Sequence, residues 1–292
     1  MSGPGQRPGF GARLATAMAA HGPLCVGIDP HPGLLHDWGL TDDATGLERF
    51  SLTAVEALAG SVAAVKPQAA FFERHGSAGV AVLERVVADL RAAGTLCVVD
   101  AKRGDIGSTM QAYADAYVGD SSPLAGDAVT VSPYLGFGSL RPVLDLAATT
   151  GRGVFVLCLT SNPEGASVQH ATDPDGVPVA VRVARRAAAA NARVVAAGEP
   201  MGPVGLVVGA TTGDAVRRLG VDLAAVRGPL LAPGVGAQGA TADDLRDVFG
   251  AAREQVLAST SRAVLAAGPA VTGLREAARR AAGEVAAVLG RG

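Results

Sequence analysis

The sequence predicts a (β/α)8 barrel, an α/β fold occupying the chain 1–292 as one domain. Three observations predict it. The chain has 292 residues with 49% hydrophobic content, enough for one large core at a size that α/β barrels reach as a single domain. Eight short apolar runs alternate with helical patterns. The runs are almost continuously apolar, as expected of parallel strands covered on both faces. Eight such units in succession close into a barrel more readily than they form an open sheet. No internal repeat and no domain boundary is evident.

A leading helix near 12–20 is expected to cover the bottom of the barrel. Strand one, 24–29, ends in Gly27-Ile28-Asp29-Pro30, and a helical segment follows at 46–58. Strand two, 63–68, ends in Val65-Lys66-Pro67-Gln68. The helix at 79–92 keeps Val80, Leu83, Val87 and Leu90 at helical spacing. Strand three, 96–102, runs through Asp100-Ala101-Lys102 into Arg103-Gly104-Asp105, and strand four is 128–132. Strand five, 153–160, leads into Thr160-Ser161-Asn162-Pro163 and an irregular stretch at 161–178. A βα connection of that length is a lid or site wall, or else a tolerated surface insertion. Strand six is 204–210, with a helix at 214–219. Strand seven, 229–233, opens into Gly234-Val235-Gly236-Ala237-Gln238-Gly239 before a helix at 242–249. Strand eight, 255–259, ends in Ser259-Thr260-Ser261-Arg262, and a final helix spans 273–289.

Composition excludes several classes. Charged residues are 18% and the net charge is −2, so no basic excess points to nucleic acid or an anionic membrane. No run of about 18 apolar residues exists to span a bilayer. The first ten residues contain no apolar h-region, which predicts no secretory signal. Cys25, Cys97 and Cys158 lie in apolar runs and are odd in number. They read as buried, reduced thiols of a cytoplasmic protein rather than a catalytic thiol.

Of the 25 basic residues only Lys66 and Lys102 are lysines. Arginine keeps its proton at any useful pH, whereas a lysine pKa moves with its surroundings, so the two are candidates for chemistry. Both fall at the C-terminal ends of strands, where barrel enzymes place their sites. Asp100 and Lys102 are two apart and point to the same side of a strand. With Lys66 and Asp105 they form a set of two cations and two carboxylates. Asp105 alone has a plainer reading as a helix N-cap. Four charges at a barrel mouth are costly and usually mean function.

The segment 234–239 fits GxGxxG literally, but the acidic residue that a dinucleotide fold needs about 20 positions on is replaced by Ser259-Thr260-Ser261-Arg262. Loops after strands seven and eight of a barrel commonly hold phosphate, and the Gly-rich backbone with Arg262 suits that anion. The five histidines show no metal-ligand spacing, so no metal is expected.

The segment Asp100-Ala101-Lys102-Arg103-Gly104-Asp105-Ile106-Gly107-Ser108-Thr109 resembles the signature of orotidine 5′-phosphate decarboxylases, in the wording of their second bacterial type. Gly27-Ile28-Asp29-Pro30, Lys66-Pro67, Thr160-Ser161-Asn162-Pro163, the 233–239 segment and Ser261-Arg262 agree in order and spacing. The resemblance implies a homodimeric, cofactor-free decarboxylase making UMP. It implies a catalytic tetrad of Lys66, Asp100, Lys102 and Asp105, with Asp105 serving the partner's site. It further implies Asp29, Lys66 and Thr109 on ribose hydroxyls, Ser161 on the pyrimidine, and Gln238 and Arg262 on the phosphate.

Three rivals are distinguishable. A sugar-phosphate enzyme of the same superfamily would need Mg2+ and an acidic ligand near the end of strand two, where Lys66 stands and Glu73 follows. A Schiff-base aldolase would be trapped by borohydride. A non-catalytic nucleotide-binding barrel would bind UMP without turnover, and has no need of opposed carboxylates in its pocket.

Overall fold

The computed structural model describes residues 7–235, 240 and 242–290. Eight strands, all parallel, pair in chain order and the eighth closes on the first. They are β1 Leu24–Ile28, β2 Ala64–Pro67, β3 Leu96–Arg103, β4 Ala128–Val131, β5 Gly153–Leu159, β6 Val204–Val208, β7 Leu230–Pro233 and β8 Val256–Thr260. Every predicted strand is present. The largest end shift is at β6, read as 204–210 and ending at Val208.

Side-chain alternation along the strands divides the core in two. One set packs inside the barrel: Cys25, Ala64, Val98, Ala128, Phe155, Val207, Leu231 and Leu257. The other, including Val26, Val65, Val99, Val129, Val156 and Leu230, packs against the helices.

The leading helix, Phe10–His21, closes the bottom. Its Phe10, Leu14 and Met18 recur every fourth residue, share one face and join the inner core. The Phe10 ring meets Phe155 edge-on at 5.8 Å between centroids. A Cβ at residue 153 would lie 2.1 Å from the Phe10 ring, so Gly153 makes the space that the plug occupies. Arg13 of this helix pairs with Asp127 and donates to the Pro8 and Gly151 carbonyls.

The predicted helices are present as Ala44–Leu58, Gly76–Ala92, Ala215–Leu219, Ala242–Phe249 and Val271–Val288. Asp43 caps the first of these by accepting the Gly46 N–H at 2.8 Å. Gly107–Val118, Arg141–Thr150 and Val179–Ala196 supply the helices after β3, β4 and β5. The 161–178 stretch is less irregular than its composition suggests. It holds a 3-10 turn, Pro163–Gly165, a short helix, Ala166–Gln169, and a bridge between Thr172 and Pro178. Among the described residues no helix is long and apolar enough to cross a membrane.

β3 departs from regular pairing where it matters most. Val99 pairs with Val129 and Arg103 with Val131, so Asp100, Ala101 and Lys102 stand opposite the single residue Thr130. Lys102 absorbs the excess with φ of +47°.

Candidate active site

Alternation carries each inward row one step further, from apolar to polar. Lys66 is two residues after Ala64, Asp100 two after Val98, Thr130 two after Ala128 and Ser259 two after Leu257. A polar layer therefore lies on the apolar interior at the C-terminal end of the barrel.

Asp100 is its centre. Its Oδ2 accepts from Lys66 Nζ at 2.9 Å and from Gln68 Nε2 at 3.2 Å. Its Oδ1 accepts from Lys102 Nζ at 2.7 Å and from the Thr130 hydroxyl at 2.7 Å. Lys66 Nζ also stands 3.9 Å from Asp29 Oδ1. The order is thus carboxylate, cation, carboxylate, cation. The Lys66 and Asp100 side chains are 6% and 7% exposed, whereas Lys102 is 44% exposed and presents its ammonium to the mouth.

Burial by itself would raise the Asp100 carboxyl. The charges of Lys66 and Lys102, with the hydrogen bonds from both, outweigh it and hold Asp100 well below the usual carboxylate range. Burial would lower the Lys66 ammonium, and Asp100 and Asp29 outweigh that, raising it above an ordinary lysine. Both groups are fixed charges. Asp29 Oδ1 is buried with no hydrogen-bond partner, an acceptor facing the site with nothing to accept.

The Lys102 backbone is strained. A left-handed conformation costs a non-glycine residue about 1–2 kcal/mol. The Thr130 hydroxyl oxygen, which accepts the Lys102 N–H at 2.9 Å, helps to hold it there. Thr130 thus serves both the Asp100 carboxylate and the Lys102 backbone. Sequence reasoning missed it; the available signal was a polar residue at an inward position of Ala128-Val129-Thr130-Val131. Gln68 stood in the strand-two motif without a role.

The remaining predicted residues that are described do not join this cluster within one chain. Asp105 follows β3, and its Oδ1 accepts the N–H of its neighbour Ile106 at 2.8 Å. Ile106 is the N-cap position of the Gly107–Val118 helix, so the N-cap reading of Asp105 is not met. No described cation pairs with Asp105. Gly104 allows a close approach instead of a sharp turn: a Cβ there would lie 2.5 Å from the Ser132 carbonyl oxygen, whereas the left-handed turn falls at Gly107, with φ of +53°. Thr109 is exposed in the first turn of that helix, and Ser161 is exposed after β5. Arg262 is exposed and begins the Arg262–Leu265 helix after β8, with no described partner. Gln238, with Gly236, Ala237 and Gly239, lies outside the described residues.

Alternative chemistries find little here. Glu73, the acidic residue nearest the end of strand two, is paired with Arg103. No group of three or more metal-ligating side chains occurs among the described residues. All three cysteines are free and buried. Burial pushes the Cys25 and Cys158 thiols up to about 12 and Cys97 well above its usual value, which leaves no thiolate nucleophile. A cavity of about 540 Å³ opens at the opposite end of the barrel. Its ionisable lining groups are Arg13 and His21, and Arg13 is spent on Asp127 and two carbonyls.

Comparison with known proteins gives a concordant result. Residues 22–277 match the model of the orotidine 5′-phosphate decarboxylase / HUMPS family. The orotidine 5′-phosphate decarboxylase of Salinispora arenicola is 61% identical over 280 residues, covering 96% of this chain and 98% of that one. That of Streptomyces coelicolor is 59% identical over 276 residues, covering 94% and 96%. A Streptomyces avermitilis crystal structure, provisionally named as the same enzyme, is 58% identical and superposes with a TM-score of 0.93 over 99% of each chain. The structure of Leishmania donovani OMP decarboxylase is 32% identical, with a TM-score of 0.74 over 96% of this chain and 99% of that one.

Proposed function

The chain belongs to the orotidine 5′-phosphate decarboxylase / HUMPS family, and from that premise we propose that it converts orotidine 5′-monophosphate to UMP and CO2 directly, without a cofactor, as the last step of de novo UMP synthesis. The observation that carries this reading is the Asp29–Lys66–Asp100–Lys102 array at the barrel mouth. Residues 1–292 form one barrel domain in this reading.

Breaking the bond from C6 to the carboxylate leaves an electron pair on C6 that the pyrimidine π-system cannot absorb. The Lys102 ammonium stabilises that charge as it develops, then gives its proton to C6 and is reprotonated from solvent. An arginine could not donate the proton. Asp100 serves twice. It fixes Lys102, and it sets a permanent negative charge near the substrate carboxylate. Two like charges about 4 Å apart repel by about 4 kcal/mol at an effective dielectric near 20, and the repulsion ends when neutral CO2 leaves. Lys66 keeps Asp100 ionised.

Binding follows the same logic. The unpartnered Asp29 Oδ1 suits a ribose hydroxyl, shared with Lys66 and with Thr109 of a second subunit. Ser161 reads the pyrimidine edge. Arg262, exposed and without a described partner, takes the phosphate together with Gln238. Phosphate binding is remote from the reacting bond and so can be used to close the site. The enzyme works as a cytoplasmic homodimer in which Asp105 completes the neighbouring site. Buried, free cysteines fit a reducing compartment. The Asp105 carboxylate, which pairs with no cation among the described residues, fits the shared site.

The test is ultraviolet monitoring of orotidine 5′-monophosphate with purified protein in EDTA. Loss of the substrate band with stoichiometric UMP is expected. Activity abolished by EDTA and restored by Mg2+ would favour a metal-dependent sugar-phosphate chemistry instead.

A further inference from the structure

Lys102 is the most exposed member of its cluster. Its side chain is half exposed and has one carboxylate partner, so the position of its ammonium depends on its backbone. That backbone is left-handed at the end of an irregular stretch of β3. Three fixings hold the stretch. Asp100 is bound at its start, and the Lys102 N–H is bound by Thr130 in its middle. Arg103 is bound at its end, and its side-chain anchors lie on the helices after β2 and β3.

The Arg103 carbonyl accepts the Ser132 N–H at 2.8 Å, restoring the ladder with β4. Its side chain turns away from the barrel mouth. One guanidinium nitrogen pairs with the Glu73 carboxylate and lies 3.1 Å from the Tyr117 hydroxyl. The guanidinium carbon stands 5.6 Å from the ring centroids of both Tyr113 and Tyr117. Glu73 ends the Ala69–Glu73 helix, which follows the strand of Lys66. Tyr113 and Tyr117 belong to the Gly107–Val118 helix, which follows Asp105 and carries Thr109. Arg103 Nε is buried without a partner, so the guanidinium is placed by that pair and those rings while one of its own hydrogen bonds goes unmade.

Resting on the decarboxylase reading, we propose that Arg103 is a positioning residue: it ties the end of the β3 bulge to the helices after β2 and β3, and so holds the Lys102 ammonium against Asp100. The Glu73 carboxylate, which a metal-dependent rival would use as a ligand, is in this account the anchor of that tie. A group that acts only on the reacting geometry changes kcat and leaves ground-state binding alone. A displacement of about 1 Å at a catalytic group costs about a hundredfold in rate.

The test uses the full-length enzyme and the variants Arg103→Met, Arg103→Lys, Glu73→Gln and Arg103→Met with Glu73→Gln. Arg103→Met is expected to lower kcat by about tenfold to a hundredfold, with KM and the UMP dissociation constant within about twofold of wild type. Arg103→Lys, which keeps a charge for Glu73, should fall between. Glu73→Gln should lower kcat at least threefold, and the double variant should be no slower than Arg103→Met alone, because the two groups form one anchor. The proposal is overturned by Arg103→Met retaining kcat within threefold. It is equally overturned if UMP affinity falls in step with kcat, or if the loss is only a smaller fraction of sites that bind UMP, since either marks general disruption. If the Met variant does not fold, Glu73→Gln decides by the same criteria. A wild-type enzyme that does not turn over orotidine 5′-monophosphate overturns the decarboxylase reading and this proposal with it; active wild type with unaffected variants overturns this proposal alone.

Discussion

Asp100 touches four side chains at once, and its removal separates electrostatics from packing. Asparagine keeps the shape but leaves Lys66 buried beside a neutral group. Breaking a buried pair of this kind costs about 3–5 kcal/mol. The pH dependence has a definite sign. A carboxyl held below its unfolded value, about 3.9, contributes its full stability above that value and loses it as the pH falls toward the folded one. Asp100→Asn lacks that contribution throughout. In urea denaturation the stability gap between wild type and Asp100→Asn is expected to be level from about pH 5 to 7 and to narrow below about pH 4. A gap that widens on acidification would contradict the assignment of Asp100 as the fixed anion. The charged members of this site were legible in the sequence because two lysines among 25 basic residues stand out, and both fall at strand ends. Thr130 was not, since threonine is ordinary in a strand and only its inward register reveals it.

At the scale of elements, the strands were legible because a strand buried on both faces must be apolar throughout. The bulge in β3 was not. Bulges are commonly marked by glycine, and here the left-handed residue is a lysine. Regular alternation already put Asp100 and Lys102 on one side; the structure brings them together through an irregular backbone instead of a straight one. The helices at 107–118, 141–150 and 179–196 were not read from the sequence, and the structure supplies them after β3, β4 and β5. The leading helix shows how an element outside the βα repeat supports the site. It fills the inner core from below, and the polar layer rests on that core. Phe10→Ala is expected to cost about 3–5 kcal/mol in urea unfolding while kcat for the folded fraction stays within twofold. A kcat loss without a stability loss would place Phe10 in a role that this packing does not explain.

The whole molecule presents an unequal surface around the barrel mouth. Ile106 is 62% exposed, Tyr134 77% and Leu135 52%, on the loops after β3 and β4. Asp105 lies beside the first of them. Large apolar side chains grouped on one rim suit association with a second copy, which is the arrangement that a shared site requires. Mixing inactive Lys102→Ala with inactive Asp105→Ala tests it. In a mixed dimer with shared sites, one site carries both defects and the other carries neither. Random exchange makes half the dimers mixed, each with one good site, so about a quarter of wild-type activity is expected. No recovery after verified subunit exchange would mean that each site is built from a single chain. The order and the type of the candidate site residues could be read from one chain; whether they meet across two is what the mixing experiment decides, because a sequence holds no coordinates for a partner.

The lysine inventory has a practical consequence. Lys66 is buried and Lys102 is half exposed, so the side-chain amine most open to reagents is the one at the barrel mouth. Acylating dyes, amine-coupling surfaces and aldehyde fixatives, which on most proteins decorate the periphery, would here attach at the barrel mouth or at the chain's amino terminus. Immobilisation chemistry for this enzyme has to be chosen around other functional groups, and on the proposed function UMP would act as a protecting group.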